Sequence, residues 1–279
     1  MNSTMTTKTE TLKVPGAELY YEVRGSGRVL LMMPGGPADA TAFRSIAGQL
    51  APHYTVVTYD PRGLSRSKLE SPLDGDRIVE VFADDVHRLL GGVTKEKADV
   101  FASSGGAVIA LELAARHPEQ LDTVVSHEPP SPTLQPDPAH VRAVMEQIAA
   151  TYRAAGIGPA VQIFSDLTRS GPPPAPQGEP TPEMLEDMAR MQGNMDLFFG
   201  PYMVALARYE PDFDALKAAS CRIVAAVGDE SRGEMAHDGG LALADRLGTR
   251  AVVFPGDHGG FESHAAEFAA KLREVFGGE

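Results

Sequence analysis

Cysteine is almost absent from the 279-residue chain: Cys221 stands alone, so an intrachain disulfide and a thiolate-rich metal site are both excluded. Clusters of Lys and Arg are missing as well. With 25 basic against 38 acidic side chains, a net charge of −13, neither a phosphate backbone nor an anionic membrane surface is the expected partner. No segment approaches the roughly 20 consecutive apolar residues that cross a bilayer. The opening MNSTMTTKTETLK lacks the apolar core of a secretory signal. Together these absences predict a cytoplasmic protein acting on a small molecule, without nucleic acid or membrane. A homo-oligomer is compatible with them, and the residues do not speak for or against it.

What is present suits a globular protein. Hydrophobic residues make up 43% of the chain and charged residues 23%, ordinary values for a soluble domain. A chain of this length buries about three-quarters of its unfolded surface and needs no metal or disulfide to stabilise it. Continuous apolar runs, stopped by Gly and Pro, occur at Val29–Met33, Tyr54–Tyr59, Ala98–Ala102, Leu121–Ser126, Cys221–Val227 and Ala251–Phe254. Runs without polar alternation suit strands buried on both faces. Two further strands, at 9–14 and 18–24, flank the turn Pro15-Gly16. Helical spacing of apolar residues recurs at 41–51, 76–90, 106–117, 234–247 and 261–276. Alternating buried strands and helices predict a parallel sheet covered on both faces.

The alternation breaks after Pro129. From there to about Leu216 the pattern is helical (141–155, 158–169, 182–209), with one Pro/Gly tract, Ser170–Pro182, that cannot be a helix interior. Residues 129–218 are therefore expected to form a helical cap inserted into a core made of 1–128 and 219–279. Within it, Met188, Met191, Met195, Phe198, Phe199, Tyr202 and Met203 form an apolar cluster, suited to packing between cap and core or to lining an adaptable pocket.

Chemistry concentrates at the ends of the buried strands. Val100-Phe101-Ala102-Ser103-Ser104-Gly105-Gly106-Ala107 runs from a strand into an Ala-rich helix through Ala-x-Ser-x-Gly. A serine on such an elbow needs small residues two before and two after it, because strand and helix backbones nearly touch there. Ser104 satisfies this with Ala102 and Gly106, whereas Ser103 would put Phe101 in the crowded position. An acyl-transfer site also needs hydrogen-bond donors for a developing oxyanion. The turn Pro34-Gly35-Gly36-Pro37 and the N–H of Gly105 are placed to supply them. His258, in the loop Pro255–Gly260 after the last buried strand, is the candidate base. His127 ends another strand and is a secondary pocket candidate. A carboxylate to orient His258 is expected in the loop Gly228-Asp229-Glu230-Ser231, with Glu128 as a third candidate. The order nucleophile, acid, base, each after a separate buried strand, is that of one architecture.

On the segments PGGP (34–37), YDPRGLSRS (59–67), ASSGG (102–106), VGDES (227–231) and PGDHGGF (255–261), the chain resembles the α/β-hydrolase superfamily over residues 9–276. The resemblance implies an eight-stranded, mostly parallel sheet with helices on both faces and an inserted helical cap. It implies hydrolysis through an acyl-enzyme, with Ser104 as nucleophile, His258 as base, and Gly36 and Gly105 as oxyanion donors. Asp60, Arg62 and Gly63 match a loop that is mainly structural in this superfamily. Pro34 stands where the first oxyanion segment commonly begins with His. Ser231 stands where many relatives carry the acid, and a loop one residue shorter would make Glu230 the partner. Glu230 is therefore placed ahead of Asp229, and Glu128 third.

The superfamily's haloalkane dehalogenases and epoxide hydrolases use an aspartate where this chain has Ser104. Its proline iminopeptidases usually carry Trp beside the nucleophile, and this chain has no Trp. The expectation is a serine hydrolase cleaving a small or medium hydrophobic ester or lactone, with no metal and no organic cofactor. The rivals are a carbon–carbon bond hydrolase or cofactor-free perhydrolase with the same triad, and a low-turnover ligand-binding protein on the same fold.

Overall fold

A computed structural model describes residues 6–169 and 180–277. Nine strands form one sheet: β1 (Lys8–Val14), β2 (Ala17–Gly25), β3 (Val29–Met33), β4 (Thr55–Tyr59), β5 (Lys68–Leu69), β6 (Ala98–Ser103), β7 (Leu121–His127), β8 (Arg222–Gly228) and β9 (Val252–Phe254). The spatial order is β1-β2-β4-β3-β6-β7-β8-β9, and β5 pairs with β2. This is the expected eight-stranded path with one added two-residue strand. The pairs β1–β2, β2–β4 and β2–β5 are antiparallel, and every pair from β4–β3 to β8–β9 is parallel.

Eleven α-helices complete the described residues: α1 (Arg44–Leu50), α2 (Ile78–Val93), α3 (Gly105–Arg116), α4 (Pro138–Ala155), α5 (Ile157–Thr168), α6 (Pro182–Leu197), α7 (Met203–Arg208), α8 (Phe213–Ala218), α9 (Met235–Leu247), α10 (Gly260–Ser263) and α11 (Ala265–Gly277). The pleat of the strands divides them into two layers, because successive side chains point to opposite faces. Leu31 and Met33 of β3 join Val100 and Ala102 of β6 against α2 and α3. Leu30 and Met32 join Phe101 against α1, α10 and α11. Phe101 meets the rings of Phe43, Phe261 and Phe268 at centroid distances of 5.9, 5.8 and 5.4 Å. That explains why the apolar runs show no alternation: both faces are covered.

Helices α4 to α8 all lie between β7 and β8. The first four of them and a π-helical turn, Phe198–Tyr202, pack on the α2/α3 side of the sheet. The last, α8, lies against α3 and α9. The Pro/Gly tract falls, at 170–179, outside the described residues. The expected Met/Phe cluster divides. Phe198, Phe199, Tyr202 and Met203 are buried, whereas Met188 and Met191 face outward on α6 beside Met184 and Leu185. No helix among the described residues is long and apolar enough to cross a membrane.

Candidate active site

Ser104 caps the start of α3 in a backbone conformation, φ 56° and ψ −127°, that a side chain rarely adopts. The turn is crowded on both sides. A Cβ at Gly106 would stand 2.4 Å from the Pro34 carbonyl oxygen, and one at Gly35 would stand 2.5 Å from Ser104 Cβ. Glycine is therefore required where the 34–37 turn crosses the elbow. Ala102, the small residue two positions before Ser104, is fully buried. The Ser104 N–H donates to the His127 carbonyl at 2.9 Å, which ties the elbow to β7. Gly36 and Gly105 both line the cavity that Ser104 faces. Among the described residues neither of their N–H groups meets a protein acceptor.

Polar contacts brace the 34–37 turn and the segments beside it. Asp60, at the end of β4, accepts the Ala40 N–H at 3.0 Å and the Arg66 N–H and guanidinium at 2.7–2.9 Å. Arg62 forms a two-pronged pair with Asp85 of α2. Asn194, on α6 and buried, donates to the Pro37 carbonyl at 2.7 Å and to Ser65 Oγ at 2.9 Å, and accepts the Ser65 N–H at 2.7 Å. The insertion is thereby latched to the residue that follows Gly36. Sequence reasoning had not singled out Asn194.

His258 lines the same cavity as Ser104. Its Nδ1 lies 2.6 Å from Oε2 of Glu128, a fully buried carboxylate. The other oxygen, Oε1, accepts the Gly228 N–H at 2.8 Å and the hydroxyl of Ser231, itself fully buried. Burial alone would raise the Glu128 pKa. The hydrogen bond with His258, the neighbouring imidazoles and the Ser231 hydroxyl outweigh it and bring the carboxyl down to about 2. An ionised Glu128 accepts from Nδ1–H, which leaves Nε2 as the proton acceptor.

The two carboxylates preferred from sequence lie elsewhere. Asp229 and Glu230 are exposed. Asp229 accepts the Gly256 N–H at 2.8 Å, and the Glu230 N–H donates to the Gly256 carbonyl at 3.1 Å. The loop is thus pinned along β9 with both side chains outward. The residue it turns inward is Ser231, too short and neutral to hold His258. Glu128, the third candidate, fills that place from the adjacent strand. The signal available in the sequence was a charged residue directly after an apolar strand, together with Ser where an acid is common.

Four non-glycine residues have positive φ among those described: Ser65, Ser104, Glu128 and Arg169. Three of them belong to the contacts above, which fits the tendency of backbone strain to gather at functional sites. His127, also a sequence candidate, does not face the cavity. It is fully buried behind the Glu128–His258 pair, among Phe101, Phe254 and Phe268, with neither ring nitrogen bonded. Burial pushes its pKa down to about 4, so it is neutral at pH 7.

The cavity itself is small, about 90 Å³. Its walls come from the insertion (Met145, Phe164, Leu167, Phe198, Met203, Leu206) and from Met235 of α9. A larger crevice of about 330 Å³ opens beside Asp39, Arg44 and Asp187, but neither Ser104 nor His258 lines it. The atoms around Ser104 can therefore supply a nucleophile, an oriented base and paired amide donors beside an apolar recess.

Comparison with known proteins gives a consistent picture. Residues 28–164 match the model of a family described as alpha/beta hydrolase fold. The chain is 37% identical over 277 residues, 97% of each chain, to Uncharacterized hydrolase YraK of Bacillus subtilis (strain 168). Among solved structures it resembles a thermophilic esterase from Thermogutta terrifontis, with a TM-score of 0.71, 20% identity and 99% of both chains covered. It also resembles the enol-lactonase from Burkholderia xenovorans LB400, with a TM-score of 0.70 and 18% identity, over 96% of this chain and 100% of that one.

Proposed function

Because the chain belongs to the α/β-hydrolase family, we propose that it is a serine hydrolase that cleaves small carboxylic esters or lactones through an acyl-enzyme, with Glu128 as the acid of the triad. The observation that carries this reading is the 2.6 Å contact between His258 Nδ1 and a buried, ionised carboxylate, beside the cavity that Ser104 lines.

In the proposed reaction Ser104 Oγ attacks the substrate carbonyl carbon as His258 Nε2 takes its proton. The carbonyl electrons move onto oxygen, which the N–H groups of Gly36 and Gly105 stabilise. Collapse of this intermediate breaks the bond to the alkoxy group, and His258 returns the proton to the departing alcohol. Water, deprotonated by His258 Nε2, then attacks the acyl-enzyme; collapse of the second intermediate breaks the bond to Ser104 Oγ, which takes the proton back from His258 as the acid leaves. Glu128 keeps the imidazole in the productive tautomer and stabilises its cation. The insertion acts here as a cap. A recess of about 90 Å³ is well below the 300–1,000 Å³ of ordinary ligand pockets, which supports a short, uncharged acyl or alcohol part. The two solved neighbours, an esterase and an enol-lactonase by their descriptions, act within the same class.

The test is intact-mass analysis after fluorophosphonate treatment. Wild type should gain one adduct, and Ser104→Ala none. An ester panel should show Glu128→Gln losing about 10³–10⁴-fold in kcat, with Asp229→Asn and Glu230→Gln within about threefold of wild type. Folded wild type that takes no adduct, or a Ser104→Ala enzyme with near-normal turnover, would refute the mechanism. Normal turnover in Glu128→Gln would refute the assignment of the acid.

A further inference from the structure

We propose that the hydroxyl of Tyr202 is a third donor to the oxyanion, supplied by the insertion rather than by the core. The inference rests on the serine-hydrolase reading and extends it to a residue outside the triad and the two backbone amides.

Tyr202 is 3% exposed. Its ring packs on Phe82 of α2, with centroids 5.4 Å apart, and on Phe198, 6.2 Å away. Buried tyrosines usually give their hydroxyl an acceptor. Among the described residues no protein atom accepts from Tyr202 Oη. The orphan hydroxyl lies beside the paired amides. A Cβ built on Gly105 would stand 2.8 Å from Tyr202 Oη and 3.5 Å from the Gly36 nitrogen. Allowing one bond length from Cα, Oη lies within about 4.3 Å of Gly105 Cα. The absent side chain of Gly105 leaves this approach open.

A second feature points the same way. Tyr202 closes the kinked turn Phe198–Tyr202, where Pro201 and a non-helical Gly200 at φ −87° and ψ −114° separate two helical stretches. The kink brings two rings over the 34–37 turn and the elbow. Phe198 lies 3.6 Å from where a Gly36 Cβ would stand, and Tyr202 reaches Gly105. Burial raises the phenol's pKa, so it stays protonated and keeps a hydrogen to donate at neutral pH. No proton moves in this role: the phenol O–H shortens its contact to the oxygen as negative charge develops there. The donor set is then complete only while the insertion is docked.

The experiment is Tyr202→Phe, which removes one oxygen and keeps the ring packing, with the melting temperature as a check that the fold is intact. Two probes are read: the acylation rate with p-nitrophenyl acetate, and inhibition by a trifluoromethyl ketone, which adds to Ser104 as a tetrahedral oxyanion. The expected result is an acylation rate lower by about 10²-fold, KM changed by less than about threefold, and the ketone weakened in proportion to the rate. An unchanged rate, or a rise in KM alone, would overturn the proposal. Fluorophosphonate labelling of Ser104 separates the two readings. If the wild type labels while Tyr202→Phe keeps its acylation rate, the Tyr202 role alone is lost. If the wild type does not label, the serine mechanism fails with it.

Discussion

Ser104 occupies a conformation that suits glycine better than serine, and this single residue illustrates how the site trades stability for position. At φ 56° and ψ −127° its Cβ is held against local sterics, a strain of about 1–3 kcal/mol. The reward is a hydroxyl lifted clear of the strand and helix that meet beneath it. Ser104→Gly should therefore raise the melting temperature relative to Ser104→Ala while abolishing turnover, as calorimetry and an ester assay would read. A glycine variant no more stable than the alanine variant would mean that the elbow is not strained. Glu128, at φ 52°, is held in a similarly restricted backbone, and its N–H is fixed by the Ala226 carbonyl at 3.0 Å. The proposed nucleophile and acid are both residues of positive φ just past the ends of neighbouring parallel strands.

At the scale of elements, the insertion is fastened to the core at the point where the chemistry would be assembled. Asn194 makes three hydrogen bonds with Pro37 and Ser65, and Arg190 of the same helix pairs with Asp39 at 3.1 Å. The exposed Arg44–Asp187 and Arg44–Glu183 contacts add little, because ion pairs in water are worth about 0–1 kcal/mol. Asn194→Leu keeps the volume but strands a half-buried carbonyl and a half-buried N–H. It should cost about 2–3 kcal/mol and lower kcat more than it raises KM, since the turn carrying Gly36 is released. Equilibrium unfolding and steady-state kinetics together check this. Destabilisation without a fall in kcat would make Asn194 a structural latch with no bearing on the 34–37 turn. The element also explains how the apolar cluster divides: α6 presents Asn194 inward, so Met184, Met188 and Met191 on its other face remain exposed.

Over the whole molecule, His127 and Glu128 contribute stability that acid removes, against the opposite pull of buried Asp99, whose pKa is raised to about 7. His127 is neutral in the fold, its pKa lowered by burial from 6.5 to about 4. The folded state thus binds fewer protons than the unfolded chain across that interval. The stability this contributes is complete above pH 6.5 and is lost as pH falls toward 4. Glu128, lowered from 4.5 to about 2, adds a second loss below pH 4.5. Replacing His127 with Leu removes the first loss and two unbonded nitrogens. The variant should be more stable than wild type at pH 5, with the gap narrowing toward pH 7, as urea unfolding at several pH values would measure. A gap that does not widen between pH 7 and 5 would contradict this account of His127.

The sequence alone determined the layers of the fold and the elbow that carries Ser104, because both follow from local rules. A strand buried on two faces must be apolar throughout, and an elbow that brings strand and helix into contact must have small residues two positions either side of its serine. The 34–37 turn and His258 were legible for the same reason: each lies next to a strand end recognisable in the chain. The tertiary structure decided what depends on neighbours distant in sequence. Glu128 and His258 are 130 residues apart, and they meet because β7, β8 and β9 lie side by side in that order and the loop after β8 turns Ser231, rather than Glu230, inward. Asn194 and Tyr202 belong to helices whose inward faces are set by docking on the core, and helical periodicity marks a face without saying what it will touch.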